Sequence, residues 1–174
     1  MNRPSNHFRR PQTAFEVAAE AEDLKSFGHA LRDWQHELKQ FHNRPQVINC
    51  FAKTPVLLQK RFSQGDVADA YLAGYVNFLA HAANIQQPDW TNDPKRIALN
   101  PWFSSSDRKR LLIVTPVSLR EKNIFAVPEN VIKICPGRPK VSLAQKKEKN
   151  RLRQQCYRTR VKEQLADYHR LKNR

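Results

Sequence analysis

The last 37 residues constrain the fold more strongly than any other part of the chain. Residues 138–174 hold 13 lysines and arginines against 3 acidic residues, so +10 of the chain's net charge of +15 lies there. Residues 143–172 contain neither glycine nor proline, and good helix formers dominate them. Such a segment is too highly charged to form a packed core. We therefore predict a basic helix that follows, and is separate from, the part that folds around a core.

The sequence divides into three parts. Residues 1–12 contain three arginines and two prolines and are predicted to form a flexible basic arm. Residues 13–135 carry apolar residues at helical intervals and are predicted to form a globular, mostly helical domain. Residues 136–174 form the basic helical tail. The predicted fold class is mainly α with a small β element (α+β), a helical N-terminal domain followed by a basic C-terminal helix.

The first half of the globular part is predicted to be helical. Thr13 and Glu16 have the spacing of a capping box, which marks the start of a helix. Apolar residues then recur at helical intervals as far as Phe41, and the helix is expected to end before Pro45, which disfavours helix at Arg44. We predict one long helix over this stretch, bent or interrupted at Gly28, and a second helix over residues 54–61.

The second half of the globular part contains the predicted β element. Residues 66–83 predict a largely buried helix, because apolar side chains form a broad stripe. Residues 88–103 are irregular, and their two tryptophans are expected to cover the core. The apolar runs 111–114 and 124–127 predict two paired strands. Residues 129–134 predict a short closing helix.

No residue pattern typical of an enzyme is present. The 4 glycines are isolated and cannot form a phosphate-binding loop, and the 6 histidines and 3 cysteines show no metal-ligand spacing. We therefore expect no catalytic residues, no cofactor and no metal. The N-terminus is polar, and no apolar run reaches the length of about 18 residues typical of a membrane span. These features, with the odd cysteine number, predict a cytoplasmic protein that does not bind membranes.

The tail has the residue types expected of a nucleic-acid-binding helix. An α-helix fits the major groove of B-DNA, where long cationic side chains reach phosphates on both sides. Asn150 and Gln154 are of the residue types that pair with an adenine edge. The predicted nucleic-acid-binding residues are Arg138, Lys140, Lys146, Lys147, Lys149, Asn150, Arg151, Arg153, Gln154, Arg158, Arg160 and Lys162.

Two short segments of the tail resemble known DNA-binding elements. Asn150 and Arg158, separated by seven residues, resemble the basic region of basic-leucine-zipper proteins. That family has two alanines where Arg153 and Gln154 stand here, and the apolar stripe that follows is shorter than a zipper. The sequence Gly-Arg-Pro-Lys at residues 137–140 resembles the core of an AT-hook, although a proline precedes its glycine. The resemblances imply a minor-groove contact followed by a major-groove helix.

The middle of the chain carries a distinctive pattern of aromatic residues and prolines. It includes Pro-Asp-Trp at residues 88–90, Asn-Pro-Trp-Phe at 100–103 and Asn-Ile-Phe at 123–125. Residues 88–125 resemble a segment of bacterial proteins described as antitoxins or as small regulators on mobile elements. The resemblance implies a globular part that binds a partner protein and a basic segment that binds DNA. Each aromatic residue taken singly is interpreted as a core residue.

Three functions remain open at this stage. The leading interpretation is a bacterial DNA-binding transcriptional regulator that uses its basic tail, frayed when free and helical when bound. An RNA-binding or ribosome-associated protein is the first alternative, because arginine-rich helices also fold on RNA. An antitoxin-like protein-binding module with an auxiliary tail is the second. A homodimer would have to form through the globular part.

Overall fold

A computed structural model describes residues 9–132 and 143–172 of the chain. Contacts within the chain divide it into two units, Met1–Cys135 and Pro136–Arg174. Across the described residues the fold is mainly helical, and one sheet of two short strands accompanies the helices. The predicted fold class, mainly α with a small β element and a basic C-terminal helix, is therefore confirmed.

The single long helix predicted after Thr13 is wrong, because the structure has two helices there. Helix α1 spans Ala14–Glu20 and helix α2 spans Leu24–Leu38. Asp23 and Ser26 separate them by forming a capping box: Asp23 Oδ1 accepts from the Ser26 amide at 2.6 Å, and Ser26 Oγ accepts from the Asp23 amide at 2.9 Å. Gly28 lies inside α2 and does not interrupt it.

The predicted cap at the start of α1 is present with one difference. Thr13 Oγ1 accepts from the Glu16 amide at 3.2 Å, as the spacing predicts. The Glu16 carboxylate accepts instead from the amide of Gln12, one residue earlier than in a standard capping box. Both bonds satisfy amides that a helix terminus leaves without partners.

Helix α3, Arg44–Ala52, was not predicted from the sequence. Pro45 lies in its first turn, where a missing amide costs no hydrogen bond. Asn43 caps the helix, since its Oδ1 accepts from the Gln46 amide at 3.0 Å. Pro45 therefore helps to begin α3, and the expectation that it disfavours helix at Arg44 is wrong, because Arg44 is the first residue of this helix.

The helix predicted over residues 54–61 is wrong, because a distant carboxylate holds this segment as a loop and turn. Asp69 Oδ2 accepts hydrogen bonds from the amides of Leu58 at 2.8 Å and Gln59 at 3.0 Å. The loop lies so close to Gly65 that a Cβ built there would be 2.0 Å from the Leu58 carbonyl oxygen. Only glycine allows this approach without a shift of the backbone.

Helix α4, Gly65–Ala82, confirms the helix predicted at residues 66–83 and forms the centre of the globular unit. Most of its residues are buried. The ring of Tyr75 packs edge-on against Trp34 of α2, with centroids 6.4 Å apart, and Trp34 packs against Phe51 of α3 at 5.9 Å. These aromatic contacts join α2, α3 and α4 into one core.

The two strands of the sheet are β1, Trp102–Phe103, and β2, Ile124–Phe125. They run parallel, with Trp102 opposite Ile124 and Phe103 opposite Phe125. The predicted strand 124–127 is thus present in its first half. Two 3-10 turns, Asp89–Asn92 and Pro94–Arg96, precede the sheet.

The strand predicted at residues 111–114 is wrong: this run belongs to helix α5, Arg108–Val114. Asp107 caps the helix by accepting from the Arg110 amide at 3.2 Å. Helix α6, Val117–Arg120, follows after Pro116 and leads into β2. Because β2 pairs with β1, it does not pair with residues 111–114.

The helix predicted at residues 129–134 is also wrong over its described part, 129–132, which has no helical backbone. The Tyr75 hydroxyl donates to the Glu129 carbonyl oxygen at 3.0 Å, and the Ile132 amide donates to Asn130 Oδ1 at 3.2 Å. Val131 and Ile132 are both buried against the core. Residues 133 and 134 lie outside the described residues.

Candidate nucleic-acid interface

Helix α7, Leu143–Lys172, carries most of the residues predicted to bind nucleic acid. Its 30 residues give a length of about 45 Å at the usual helical rise. The side chains of residues 147–160 and of Lys162 are described, and all of them are exposed. This part of α7 therefore buries no face against its own unit.

The described cations of α7 lie on two sides of the helix. At about 100° per residue, Lys147, Arg151, Arg158 and Lys162 fall within an arc of about 60°, which we call the first ridge. The second ridge consists of Lys149, Arg153 and Arg160, which fall within about 40° on the opposite side.

A strip of uncharged polar side chains lies between the two ridges. Asn150, Gln154 and Tyr157 are spaced by four and three residues, so they share one face of α7. We call this face the polar strip, and all three side chains are exposed. The acidic residue Glu148 lies outside the strip, on the other side of the first ridge.

One ion pair reduces the positive charge of α7. Arg151 Nη2 donates to Glu148 Oε1 at 2.9 Å, and both side chains are exposed. None of the other ridge cations forms an ion pair within the described residues. Six cations are thus left to bind an external anion.

Three of the residues predicted to bind nucleic acid cannot be assigned to a ridge or to the polar strip. Arg138 and Lys140, from the segment similar to an AT-hook, lie outside the described residues. Lys146 lies in α7, but its side chain is outside the described set. The structure therefore brings together Lys147, Lys149, Asn150, Arg151, Arg153, Gln154, Arg158, Arg160 and Lys162 on one helix.

A buried ion pair in the globular unit was missed by the sequence reasoning. Arg96 Nη1 lies 3.4 Å from Asp69 Oδ1, and both side chains are almost fully buried. Arg96 Nη2 also donates to the Pro55 carbonyl oxygen. Burial raises the pKa of Asp69 to about 6 and lowers the pKa of Arg96. The signal was the position of Asp69 among the apolar residues of α4, at a point where the helix was expected to be buried.

The side chains around the Asp69–Arg96 ion pair hold loops against the core. The Arg96 guanidinium lies 4.9 Å from the centre of the Trp90 ring, and Trp90 Nε1 donates to the Phe51 carbonyl oxygen at 2.8 Å. Trp90 is buried, in agreement with its interpretation as a core residue, whereas Trp102 is half-buried. The pair fixes residues 55–59 and the tryptophan over the core.

The globular unit has an apolar surface cavity of about 250 Å³ between α2 and α4. Its lining includes Phe27, Leu31, Tyr71 and Trp102 and no charged side chain. No group of three or more histidine, cysteine, aspartate or glutamate residues is placed to hold a metal ion within the described part of the chain. Among the helices described, none is both long and apolar enough to cross a membrane.

Comparison with protein-family models, with curated proteins and with solved structures finds no match for the chain.

Proposed function

We propose that the protein binds double-stranded DNA through α7, which lies in the major groove, and acts as a bacterial transcriptional regulator. The observation that carries this proposal is the arrangement of α7: two cationic ridges flank a strip of side chains that can pair with base edges.

The ridges match the electrostatics of a DNA groove. The major groove is about 12 Å wide and admits an α-helix, and a phosphate backbone borders it on each side. With the polar strip facing the bases, the first ridge faces one backbone and the second ridge faces the other. Each phosphate that a cation neutralises releases condensed counterions, which favours binding.

The polar strip supplies the groups for direct readout. Asparagine and glutamine side chains pair with N6 and N7 of adenine, and both types occur on the strip as Asn150 and Gln154. Tyr157 adds a hydroxyl and an aromatic ring on the same face. The strip therefore favours sites that contain adenine.

Geometry favours DNA over duplex RNA as the ligand. The major groove of A-form RNA is too deep and narrow for side chains to read, whereas that of B-DNA is open. Single-stranded or bulged RNA is the second candidate, because an exposed basic helix also binds such elements. The regulatory role is supported by the resemblance of residues 88–125 to small bacterial regulators.

The test is a fluorescence-anisotropy titration of the full chain against duplex DNA, single-stranded DNA and structured RNA of equal length, at two salt concentrations. We expect preferential binding to the duplex that persists at the higher salt concentration. Equal binding to all three that disappears in salt would mean non-specific electrostatics. A preference for the RNA would assign the protein to the second candidate.

A charge-reversed variant and a matched control identify the site. Reversal of Arg151, Arg153, Arg158 and Arg160 to glutamate is expected to eliminate duplex binding. The control reverses four exposed cations of the globular unit, Lys25, Arg32, Arg44 and Lys60, and has the same net charge. We expect it to retain most of the affinity. Equal losses in both variants would contradict an interface on α7.

A further inference from the structure

Helix α5 exposes most of its apolar side chains. Leu111 is its buried residue, 5% exposed, whereas Leu112, Ile113 and Val114 are 49%, 81% and 43% exposed. Val117, in the first turn of α6, is 57% exposed. We call Leu112, Ile113, Val114 and Val117 the α5 patch.

The patch differs from the scattered apolar residues found on most protein surfaces. Single exposed leucines are normal, but contiguous exposed apolar surface marks interaction sites. Three consecutive helical residues span about 200° of the helix circumference, so no rotation of α5 against the domain would bury them all. These side chains are therefore available for contact with a second surface.

Three cations lie one helical turn before the patch. Arg108, Lys109 and Arg110 are exposed, and each precedes a patch residue by four positions. None of the three forms an ion pair among the residues that the structure describes. The Arg108 guanidinium lies 5.1 Å from the centre of the Phe103 ring in β1. The nearby acid Asp107 caps α5, so its single charge leaves this surface net positive.

We propose that the α5 patch and these three cations form the docking surface for an acidic protein. Apolar side chains of that partner cover the patch, and its carboxylates pair with Arg108, Lys109 and Arg110. An acidic partner is favoured because its carboxylates complement the three cations of α5. The proposal is independent of DNA binding by α7.

Other occupants fit these residues less well. A second copy of this chain would bring the same three cations and a net charge of +15, which oppose self-association. DNA phosphates would lie against apolar side chains. Helices that lie on a lipid surface carry their cations on the face opposite the apolar one, whereas Arg108, Lys109 and Arg110 share the faces of the patch residues four positions later.

Two labelled peptides test the proposal by fluorescence anisotropy with the full chain. Both consist of the same numbers of glutamate, leucine and alanine residues. One places the leucines on a single helical face, and the other has them in scrambled order. Since the two carry equal charge, the cations of α7 attract them equally. We expect the amphipathic peptide to bind at least about tenfold more tightly, because it buries an apolar face on the patch.

Two substitutions test whether the preference for the amphipathic peptide arises from the α5 patch. Ile113→Ser is expected to abolish the difference between the peptides while duplex DNA affinity stays unchanged. Leu99→Ser is the matched control, because Leu99 is 85% exposed and lies outside α5. It should keep the preference. Equal binding of both peptides, or a preference that survives Ile113→Ser, would overturn the proposal.

Two further measurements separate the alternative occupants. Sedimentation velocity that shows a dimer lost in Ile113→Ser would overturn the proposal in favour of an interface between copies. Binding to vesicles with anionic headgroups that is lost in the same variant would overturn it in favour of a lipid surface. We expect a monomer and no such vesicle binding.

Discussion

The carboxylate of Asp69, in the middle of α4, accepts a hydrogen bond of 2.8 Å from the backbone amide of Leu58. The same carboxylate faces the buried guanidinium of Arg96. One side chain therefore holds the loop before α4 and the turn after it against the core. Removal of Asp69 would leave a buried positive charge and two amides without an acceptor.

Asp69→Ala is expected to lower the free energy of unfolding by about 3–5 kcal/mol, the usual effect of breaking a buried ion pair. Urea unfolding monitored by tryptophan fluorescence measures the change. Asp66→Ala is the control, because Asp66 is a partly exposed acid of the same helix. A loss below about 1 kcal/mol in Asp69→Ala would contradict the role assigned to the pair.

The pH dependence of stability follows from the raised pKa of Asp69. Burial raises that pKa to about 6, above the value of about 3.9 in an unfolded chain. Between these values the folded state binds more protons than the unfolded state, so the contribution of Asp69 falls as the pH rises from about 4 to about 6. We expect this component to be absent in Asp69→Asn, which does not titrate but whose side-chain oxygen can still accept from the amides of Leu58 and Gln59. Identical pH profiles of unfolding for both proteins would contradict the shift.

Two glycines in helical positions are expected to respond in opposite ways to alanine. Gly65→Ala places a Cβ 2.0 Å from a backbone oxygen, so the loop must move, and we expect a loss of about 2 kcal/mol or more. Gly28→Ala meets nothing within 4 Å inside α2 and should stabilise by about 0.5–1 kcal/mol. Thermal unfolding of Gly65→Ala and Gly28→Ala measures both changes in stability. Equal effects on stability would show that the close contact between Gly65 and the Leu58 carbonyl does not require glycine.

Local patterns predicted the elements that depend on local sequence. Helices α4 and α7 follow from a broad apolar stripe and from a run of helix formers. The cap of α1 follows from the spacing of Thr13 and Glu16. For α7 the exposed cations also follow from composition, whereas the two ridges and the polar strip appear when helical geometry is applied to the sequence.

Contacts between distant residues caused some of the errors, whereas the break before α2 and the start of α3 depend on local caps at Asp23 and Asn43. Residues 54–61 look helical, but Asp69 binds two of their amides from another element. The apolar run 111–114 resembles a buried strand, yet its side chains are mostly exposed on a helix. Sequence alone does not show that β2 pairs with β1 instead, nor that Leu112, Ile113 and Val114 are exposed on α5.

The ridges and the polar strip of α7 are expected to affect DNA binding in different ways. Alanine at Lys149, Arg153 and Arg160 removes three phosphate contacts, so the slope of log affinity against log salt should fall by about 3. Gln154→Ala should leave that slope unchanged and reduce discrimination at one base pair by about 1–3 kcal/mol. Anisotropy titrations over a salt series measure both quantities. A reduced slope in Gln154→Ala would place this side chain against a phosphate instead.

Helix α7 is expected to gain helical content when it binds DNA. Like charges stand four residues apart at Lys147 and Arg151, at Lys149 and Arg153, and at Arg158 and Lys162, which destabilises the helix until a polyanion neutralises them. Far-ultraviolet circular dichroism of the full chain should therefore become more helical when duplex is added. Arg158→Glu replaces one repulsion by a favourable pair with Lys162, so this variant should be more helical without DNA. An unchanged spectrum in both experiments would mean that α7 is fully formed before it binds.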